Sequence, residues 1–243
     1  MEKRKNYIMF MVVTLLMTAA AQYFLCYRVY RNSGVKCVYD LVGFANNVIV
    51  AYMMYGMYVM LTEMKDDYRN TVIIRQQNMI KIWNQVVTKV VKIAVFYGAY
   101  LTAVIWIIPF TITTRICNFS EWKSFVSIKT GKVYSTAPSV PVMILSSFVG
   151  IACLTVILGM IMMFAWWNTS LSIVAYVVSV IILIVDNIGI GVYSGWTSMN
   201  SVRICKNGFS ATEHLLYPIL LSLGVYIVLT LLFRKKDMIR DYM

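Results

Sequence analysis

Residues 142–195 read VMILSSFVGIACLTVILGMIMMFAWWNTSLSIVAYVVSVIILIVDNIGIGVYSG and hold one charged residue, Asp186. The stretch lies within a 70-residue interval, 133–202, in which Asp186 is again the only charge. A helix needs roughly 20 apolar residues to cross the hydrocarbon core of a bilayer. The interval therefore has room for two crossing helices, predicted at 142–167 and 171–195. The tetrapeptide Trp167-Asn168-Thr169-Ser170 predicts the turn between them.

Four other intervals without charge each have the length of one crossing helix. They hold 22 residues between Lys5 and Arg28, 22 between Asp40 and Glu63, 22 between Lys92 and Arg115, and 20 between Glu213 and Arg234. These intervals predict spans at 8–27, 41–62, 90–113 and 214–233. The sequence shows no alternation of the kind found in β-barrels. We therefore expect an all-α, polytopic integral membrane protein with six transmembrane helices, forming a single domain over residues 1–243.

The composition excludes an ordinary soluble domain. Hydrophobic residues make up 60% of the chain and charged residues 13%, whereas soluble domains carry about 25% charge. The net charge of +12 is spread over separate loops, and a nucleic-acid surface gathers its basic residues in one patch. We expect anionic lipid headgroups, and no nucleic acid, as the counter-charge.

The distribution of basic residues predicts the orientation. With six spans both termini lie on one side, and cytoplasmic loops are enriched in Lys and Arg. Placing the termini inside gives the cytoplasmic side 13 of the 22 basic residues. This favours cytoplasmic termini and a multi-pass protein of the cell membrane.

The residues that usually carry metal or redox chemistry are few and scattered. No two of the five cysteines have CxxC spacing, so no metal centre is predicted. Cys37, Cys117 and Cys205 fall in three outer segments, which leaves open both a disulfide between two of them and free buried thiols. The lone His214 is interpreted as an interface anchor. No catalytic residue is predicted, and Gly131-Lys132 lacks the glycine and hydroxyl residue of a phosphate-binding loop.

The segment between the second and third spans, residues 63–89, mixes charged and apolar side chains. Asn70 or Thr71 is a plausible cap for a short helix that begins with Val72-Ile73-Ile74, and the polar residues 75–78 then break the pattern. Beyond the break, apolar residues recur at helical spacing and predict an amphipathic helix that leads into the third span. Those residues are Met79, Ile80, Trp83, Val86, Val87, Val90 and Val91.

Two interpretations of this segment remain open. A short apolar helix held at the membrane surface by two spans is suited to contact a soluble partner. The same residues also fit an interfacial helix that lies against headgroups, anchored by Trp83 and Tyr68.

The segment resembles the cytoplasmic coupling region of ATP-binding-cassette exporter permeases of the small six-helix class, which includes bacterial peptide, lantibiotic and toxin exporters. The resemblance rests on about 25 residues, namely Glu63, Arg69-Asn70-Thr71, the apolar triplet 72–74, the polar break, Ile82-Trp83 and Lys89. The basic ending after the last span, Leu231-Leu232-Phe233-Arg234-Lys235-Lys236-Asp237-Met238, is also similar to that class.

The resemblance implies a permease subunit of a bacterial plasma membrane that works as one of two copies. The second copy is either identical or a related permease, and each contacts a cytoplasmic ATPase subunit that binds ATP and Mg²⁺. The chain itself would bind no cofactor and would not be an enzyme. Its cargo would be hydrophobic or amphipathic peptides. The implied contact with the ATPase consists of Tyr68, Thr71, Val72, Ile73, Ile74 and Arg75.

Asp186 is the intramembrane polar candidate, because a carboxylate within a span is costly and usually faces protein or water. It fits either a transport role or a structural one, in which Asn187, Gly189 and Gly191 help close packing. Asp186 also supports an alternative function, a proton-coupled secondary transporter, and a membrane scaffold or sensor is a third. Methionines on the second and fourth spans are interpreted as packing residues that would also suit amphipathic cargo.

Overall fold

In the computed structural model, the structure describes residues 2–29, 37–67, 79–118, 120–122, 124, 131–133, 139–188 and 212–240. Within the helices, it describes the backbone alone at 2–7, 25–26, 28–29, 44–52, 65–67, 79, 186–188, 213 and 235–240. Every regular element among these residues is helical, and none of them forms a strand. The all-α prediction is confirmed to this extent.

The described chain forms six helical segments. Helix α1, Glu2–Ala20, continues as a wider π-helix over Ala21–Val29. Helices α2, Val38–Asp67, and α3, Met79–Ile112, follow. Helix α4 spans Val140–Thr169 and α5 spans Ser172–Ile188. A π-helical turn, Thr212–Leu216, then leads into α6, Tyr217–Arg240.

Helix α4 lies at the centre of the bundle and contacts α2, α3, α5 and α6. It is apolar on all sides, as expected for a helix surrounded by other helices. In its most apolar window 61% of the residues are buried, against 11% in the window that covers α6. Helix α6 is therefore peripheral, and packs only one side against α3 and α4.

Glycines allow close approach between the central helices. A Cβ atom on Gly159 of α4 would clash with the side chain of Val90 on α3, and one on Gly98 of α3 would press against Ala152. Small residues let backbones approach in this way and replace the hydrophobic drive that lipid does not supply. The contact between α3 and α4 is accordingly the most extensive in the described bundle.

The connection between α4 and α5 is a tight turn. Ser170 adopts the left-handed conformation, with φ 58° and ψ 5°, and its N–H donates to the carbonyl of Trp166 at 2.7 Å. This geometry caps the last turn of α4. The predicted turn at 167–170 is thus placed slightly too early, because α4 continues through Thr169 and only Ser170 and Leu171 separate the two helices.

Three described helices are long and apolar enough to cross a membrane: Ile80–Ile112, Val140–Thr169 and His214–Arg234. Two shorter apolar helices cover Ile8–Phe24 and Ser172–Val185. The predicted span 41–62 falls within α2, and the predicted span 171–195 includes all of α5 together with residues 189–195, which lie outside the described part. Six crossings and the orientation of the termini remain predictions.

Candidate functional site

The predicted contact residues Tyr68, Thr71, Val72, Ile73, Ile74 and Arg75 lie outside the described residues. The helices on either side of them are described: α2 ends at Asp67 and α3 begins at Met79. Helix α3 then runs without interruption to Ile112. The helix predicted to begin near Met79 is confirmed, and its crossing of a membrane remains a prediction.

The first turns of α3 bury one face in the bundle. Ile82, Trp83, Val86 and Val90 are fully buried, at spacings that place them on one side of a helix. The predicted apolar face differs at its edges, because it omits Ile82 and includes Val91, which is 39% exposed. The position of α4 and α6 decides which apolar residues are covered.

Trp83 lies in a group of aromatic side chains, here called the base cluster, formed by Trp83, Phe164, Trp167 and Phe233. The Trp83 ring stacks on Phe233 with centroids 4.6 Å apart. Trp167 and Phe164 meet Phe233 edge-on at 5.0 and 5.2 Å. Edge-to-face and offset-stacked pairs each add about 0.5–1.5 kcal/mol beyond their buried area. The base cluster therefore joins the start of α3 to the ends of α4 and α6.

Two hydrogen bonds between α3 and α6, and a third within α6, strengthen this junction. The indole Nε1–H of Trp83 donates to the hydroxyl of Thr230 at 2.9 Å, and that hydroxyl donates to the carbonyl of Tyr226 at 2.7 Å. One turn away, the Tyr226 hydroxyl lies 2.9 Å from Asn84 Oδ1 and donates to it. The bonds from Trp83 and to Asn84 both link α3 to α6, so the two helices are held together by polar as well as aromatic contacts.

Residues 37–40 and 115–118 meet at the other end of α3. The N–H groups of Val38 and Tyr39 donate to the carbonyls of Arg115 and Ile116 at 2.9 and 3.2 Å. The Cys37 thiol is buried and donates to Asn118 Oδ1 at 3.1 Å. These contacts fix the start of α2 against the segment that follows α3.

Burial raises the pKa of the Cys37 thiol, and the nearby Asp40 carboxylate raises it further. Both effects disfavour the charged thiolate. Among the described residues neither Cys37 nor Cys117 forms a disulfide, and Cys205 lies outside them. The interpretation of Cys37 as a buried free thiol is therefore the one the described geometry favours, and a bridge that involves Cys205 stays a prediction.

The two remaining polar candidates, Asp186 and His214, are described to different extents. The backbone of Asp186 belongs to α5, close to its described end at Ile188, and its side chain lies outside the described residues. The side chain of His214 is 3% exposed. It is therefore more deeply buried than the predicted interface anchor would be.

The methionines singled out in the sequence pack inside the bundle. All but Met54 are almost completely buried, and Met54 packs against the core; the set is Met53, Met54, Met57 and Met60 on α2 and Met160, Met162 and Met163 on α4. Their flexible thioethers fill the space between α2, α3 and α4. Helix packing accounts for them.

Comparisons with protein-family models, with curated proteins and with solved structures find no match to this chain. Within the described ranges, no three His, Cys, Asp or Glu residues are arranged to hold a metal ion. The feature that the described residues do bring together is the base cluster, which includes Trp83 in the first turns of α3.

Proposed function

We propose that this chain is the membrane-spanning permease subunit of an ATP-driven ATP-binding-cassette exporter. It crosses a bacterial plasma membrane six times with both termini in the cytoplasm. The subunit works as one of two paired copies, and each contacts a separate ATPase subunit. Its cargo is a hydrophobic or amphipathic peptide, and ATP and Mg²⁺ bind to the partner.

The observation that carries this proposal is that α3 begins directly after residues 68–78, the segment that contains the predicted contact with the ATPase. Helix α3 starts at Met79, directly after residues 68–78, and continues to Ile112. Its first turns are joined to α4 and α6 through Trp83, Trp167 and Phe233. A displacement of residues 68–78 by a partner would therefore move three helices together. Alternating access requires a coupling of this kind between a cytoplasmic contact and the bundle.

The resemblance to the coupling region supports the same proposal from the sequence. Arg69-Asn70-Thr71, the apolar triplet and Ile82-Trp83 occur in the order typical of that region. The structure adds that Ile82 and Trp83 are both fully buried. They act as the fixed end of the segment, whereas Val72, Ile73 and Ile74 would form its contact with the ATPase.

Co-purification tests the partner directly. The tagged chain is expressed with its neighbouring genes, and the ATPase that co-purifies is measured for the wild type and for Ile73→Asp/Ile74→Asp. We expect the double variant to lose most of the ATPase, because two carboxylates replace the apolar contact. The matched control is Ile116→Asp, a change at an exposed isoleucine beyond the opposite end of α3. Retention of the ATPase by the double variant, or equal loss in the control, would contradict the proposal.

Reconstitution separates this function from a proton-coupled transporter. In proteoliposomes we expect peptide movement that needs the ATPase subunit and ATP. Movement driven by a proton gradient with this chain alone, and abolished in Asp186→Asn, would reject the exporter. Reporter fusions at residues 74 and 116 test the topology, and we expect them on opposite sides of the membrane.

A further inference from the structure

The first turns of α3 expose polar side chains on the side opposite Trp83. Asn84, Gln85, Thr88 and Lys92 are exposed, whereas Trp83 is fully buried. At about 100° per residue, these four exposed residues fall within about 100° of the helix circumference. They are called here the polar face of α3. Three of them carry an uncharged amide or hydroxyl group, so the face is hydrophilic whatever the charge state of Lys92.

Two hydrogen bonds to α6 fix the height at which the polar face begins. The indole Nε1–H of Trp83 donates to the Thr230 hydroxyl, and the Tyr226 hydroxyl donates to Asn84 Oδ1, both at 2.9 Å. Tyr226 and Thr230 are about one turn apart on α6. The polar face of α3 therefore begins at the level of residues 226–230 of α6.

Two contacts of α4 fix the height of α6 further along the bundle. A Cβ atom on Gly98 of α3 would press against Ala152 of α4. The next residue of α4, Cys153, accepts a hydrogen bond through its carbonyl from the Ser222 hydroxyl of α6 at 3.5 Å. Gly98 and Ser222 therefore lie at similar heights. Since the polar face ends before Gly98, at Lys92, it is level with residues 222–230 of α6.

The exposed side of α6 at this height is aliphatic. Leu223, Ile227 and Val228 are 51%, 55% and 56% exposed. They belong to His214–Arg234, one of the described helices that are long and apolar enough to cross a membrane. When α6 lies in the hydrocarbon, the polar face of α3 lies at hydrocarbon depth as well. Polar side chains at that depth face protein or water, because contact with lipid is costly.

We propose that the polar face of α3 lines a water-filled cleft within the membrane, and that the same face of a second copy of this chain forms the opposite wall. The proposal rests on the pairing of two copies in the proposed function. Water at this depth needs protein on its far side, because lipid would otherwise fill the space. In a two-fold symmetric pair each copy presents the same surface to the other, so a polar face meets a polar face. Water between the copies keeps Lys92 apart from its counterpart. The amides and the hydroxyl can then bind the polar side of an amphipathic peptide.

Thiol labelling tests whether water reaches the polar face. Thr88→Cys on α3 and Val228→Cys on α6 are made in a background without the five native cysteines. Membranes that contain the full chain are treated with a cationic and, separately, an anionic membrane-impermeant methanethiosulfonate, so that nearby charges do not decide the result. We expect Thr88→Cys to react at least about ten-fold faster than Val228→Cys with both reagents, because thiols ionise in water and not in hydrocarbon.

The controls for labelling are built into the pair of variants. The two thiols should react equally in SDS, and if the cysteine-free background does not fold, the same variants are made in the wild type and its own labelling is subtracted. Slow labelling at both positions would overturn the proposal, because it would show that water does not reach the polar face. Fast labelling at both would also overturn it, because it would place the aliphatic side of α6 in water.

Cross-linking between copies tests the opposite wall. Two differently tagged copies that both carry Thr88→Cys are co-expressed, and water-soluble bis-maleimides of two spacer lengths are added to the membranes. We expect a cross-linked pair that carries both tags, and none for Val228→Cys. Water access without a cross-link between copies would assign the cleft to the single chain and overturn the proposal. A cross-link to a different protein would make that protein the opposite wall, and the proposal would again be wrong.

Failure of the exporter proposal is distinguishable from failure of the cleft. Labelling and cross-linking do not use the ATPase, and Ile73→Asp/Ile74→Asp should leave both unchanged. If Thr88→Cys labels and cross-links as expected while Ile73→Asp/Ile74→Asp keeps the co-purifying ATPase, the exporter proposal fails and the paired cleft stands. If Ile73→Asp/Ile74→Asp loses the ATPase and Thr88→Cys does not label, the cleft proposal alone is wrong.

Discussion

The side-chain amide of Gln22 donates from Nε2 to the carbonyl oxygen of Ile105 at 3.1 Å. Residue 109, whose N–H would normally bond that carbonyl within α3, is a proline and has no N–H. Gln22 also reaches the carbonyl of Leu41 at 3.4 Å. A proline inside an apolar helix is tolerated when a neighbouring group satisfies the freed carbonyl. Gln22 thereby joins the π-helical end of α1 to α3 and α2.

We expect Gln22→Leu to destabilise the protein, because the Ile105 carbonyl, which Pro109 cannot bond, would lose its donor. Alone, the change should cost about 1–2 kcal/mol, in the range of single hydrogen bonds between membrane helices. In a Pro109→Ala background the alanine N–H bonds the Ile105 carbonyl, so Gln22→Leu should cost less than half as much. The measurement is the free energy of unfolding in mixed detergent micelles for all four members of the cycle. Equal costs in both backgrounds would show that Gln22 does not serve the proline.

Gly56 of α2 packs closely against Tyr97 of α3. A Cβ atom at Gly56 would lie closer than 3.0 Å to the Tyr97 ring, and that ring is held in a stack with Phe10 at 5.0 Å. We expect Gly56→Ala to destabilise the bundle by about 1–3 kcal/mol, the usual cost of overpacking a core. The control is Gly224→Ala on α6, where a Cβ atom meets nothing within 4 Å. That variant should be neutral, or gain up to about 1 kcal/mol from helix propensity. A similar loss of thermal stability in both variants would contradict the steric explanation.

The positions of the helices could be predicted from the sequence, because a helix that crosses a bilayer needs about 20 apolar residues and a charge within it is costly. Each described helix covers a predicted charge-free interval, in whole or in part. The contacts between helices were not predictable in this way. Trp83 and Thr230 are 147 residues apart, and no local pattern pairs them. The burial of Ile82 had a usable signal, since Ile82, Val86 and Val90 recur every four residues. Pro109 in an apolar span likewise indicated the need for a donor, but not that Gln22 supplies it.

The Trp83–Thr230 hydrogen bond predicts different outcomes for two small changes. Thr230→Val keeps the shape but leaves the buried indole N–H without its acceptor, which should cost about 1–3 kcal/mol. Thr230→Ser keeps the hydroxyl and should lose clearly less. In the Trp83→Phe background, Thr230→Val should be nearly neutral, because no donor remains. Unfolding in mixed micelles measures all the variants, and a full loss in the Trp83→Phe background would show that Thr230 acts through another contact.

The Cys37 thiol should react with a maleimide far more slowly than Cys117. Cys37 is fully buried, and both burial and the Asp40 carboxylate raise its pKa, so less of it is thiolate at any pH in the neutral range. Since the thiolate is the reactive form, we expect labelling of a Cys37-only variant to be at least about ten-fold slower than that of a Cys117-only variant. Cys117 is half-buried and serves as the matched thiol.

Two conditions separate protonation from access in this experiment. Asp40→Asn removes one cause of the raised pKa and should speed the labelling of Cys37 without exposing it, whereas unfolding in SDS should make the two thiols equal. The raised pKa of Cys37 also makes the stability of the protein depend on pH. Because the folded pKa lies above the ordinary thiol value of about 8.5, the contribution of Cys37 to stability is constant below that pH and declines as the pH rises beyond it. A Cys37 thiol that labels as fast as Cys117 in the folded protein at neutral pH would show that residues 37–40 do not stay packed against residues 115–118.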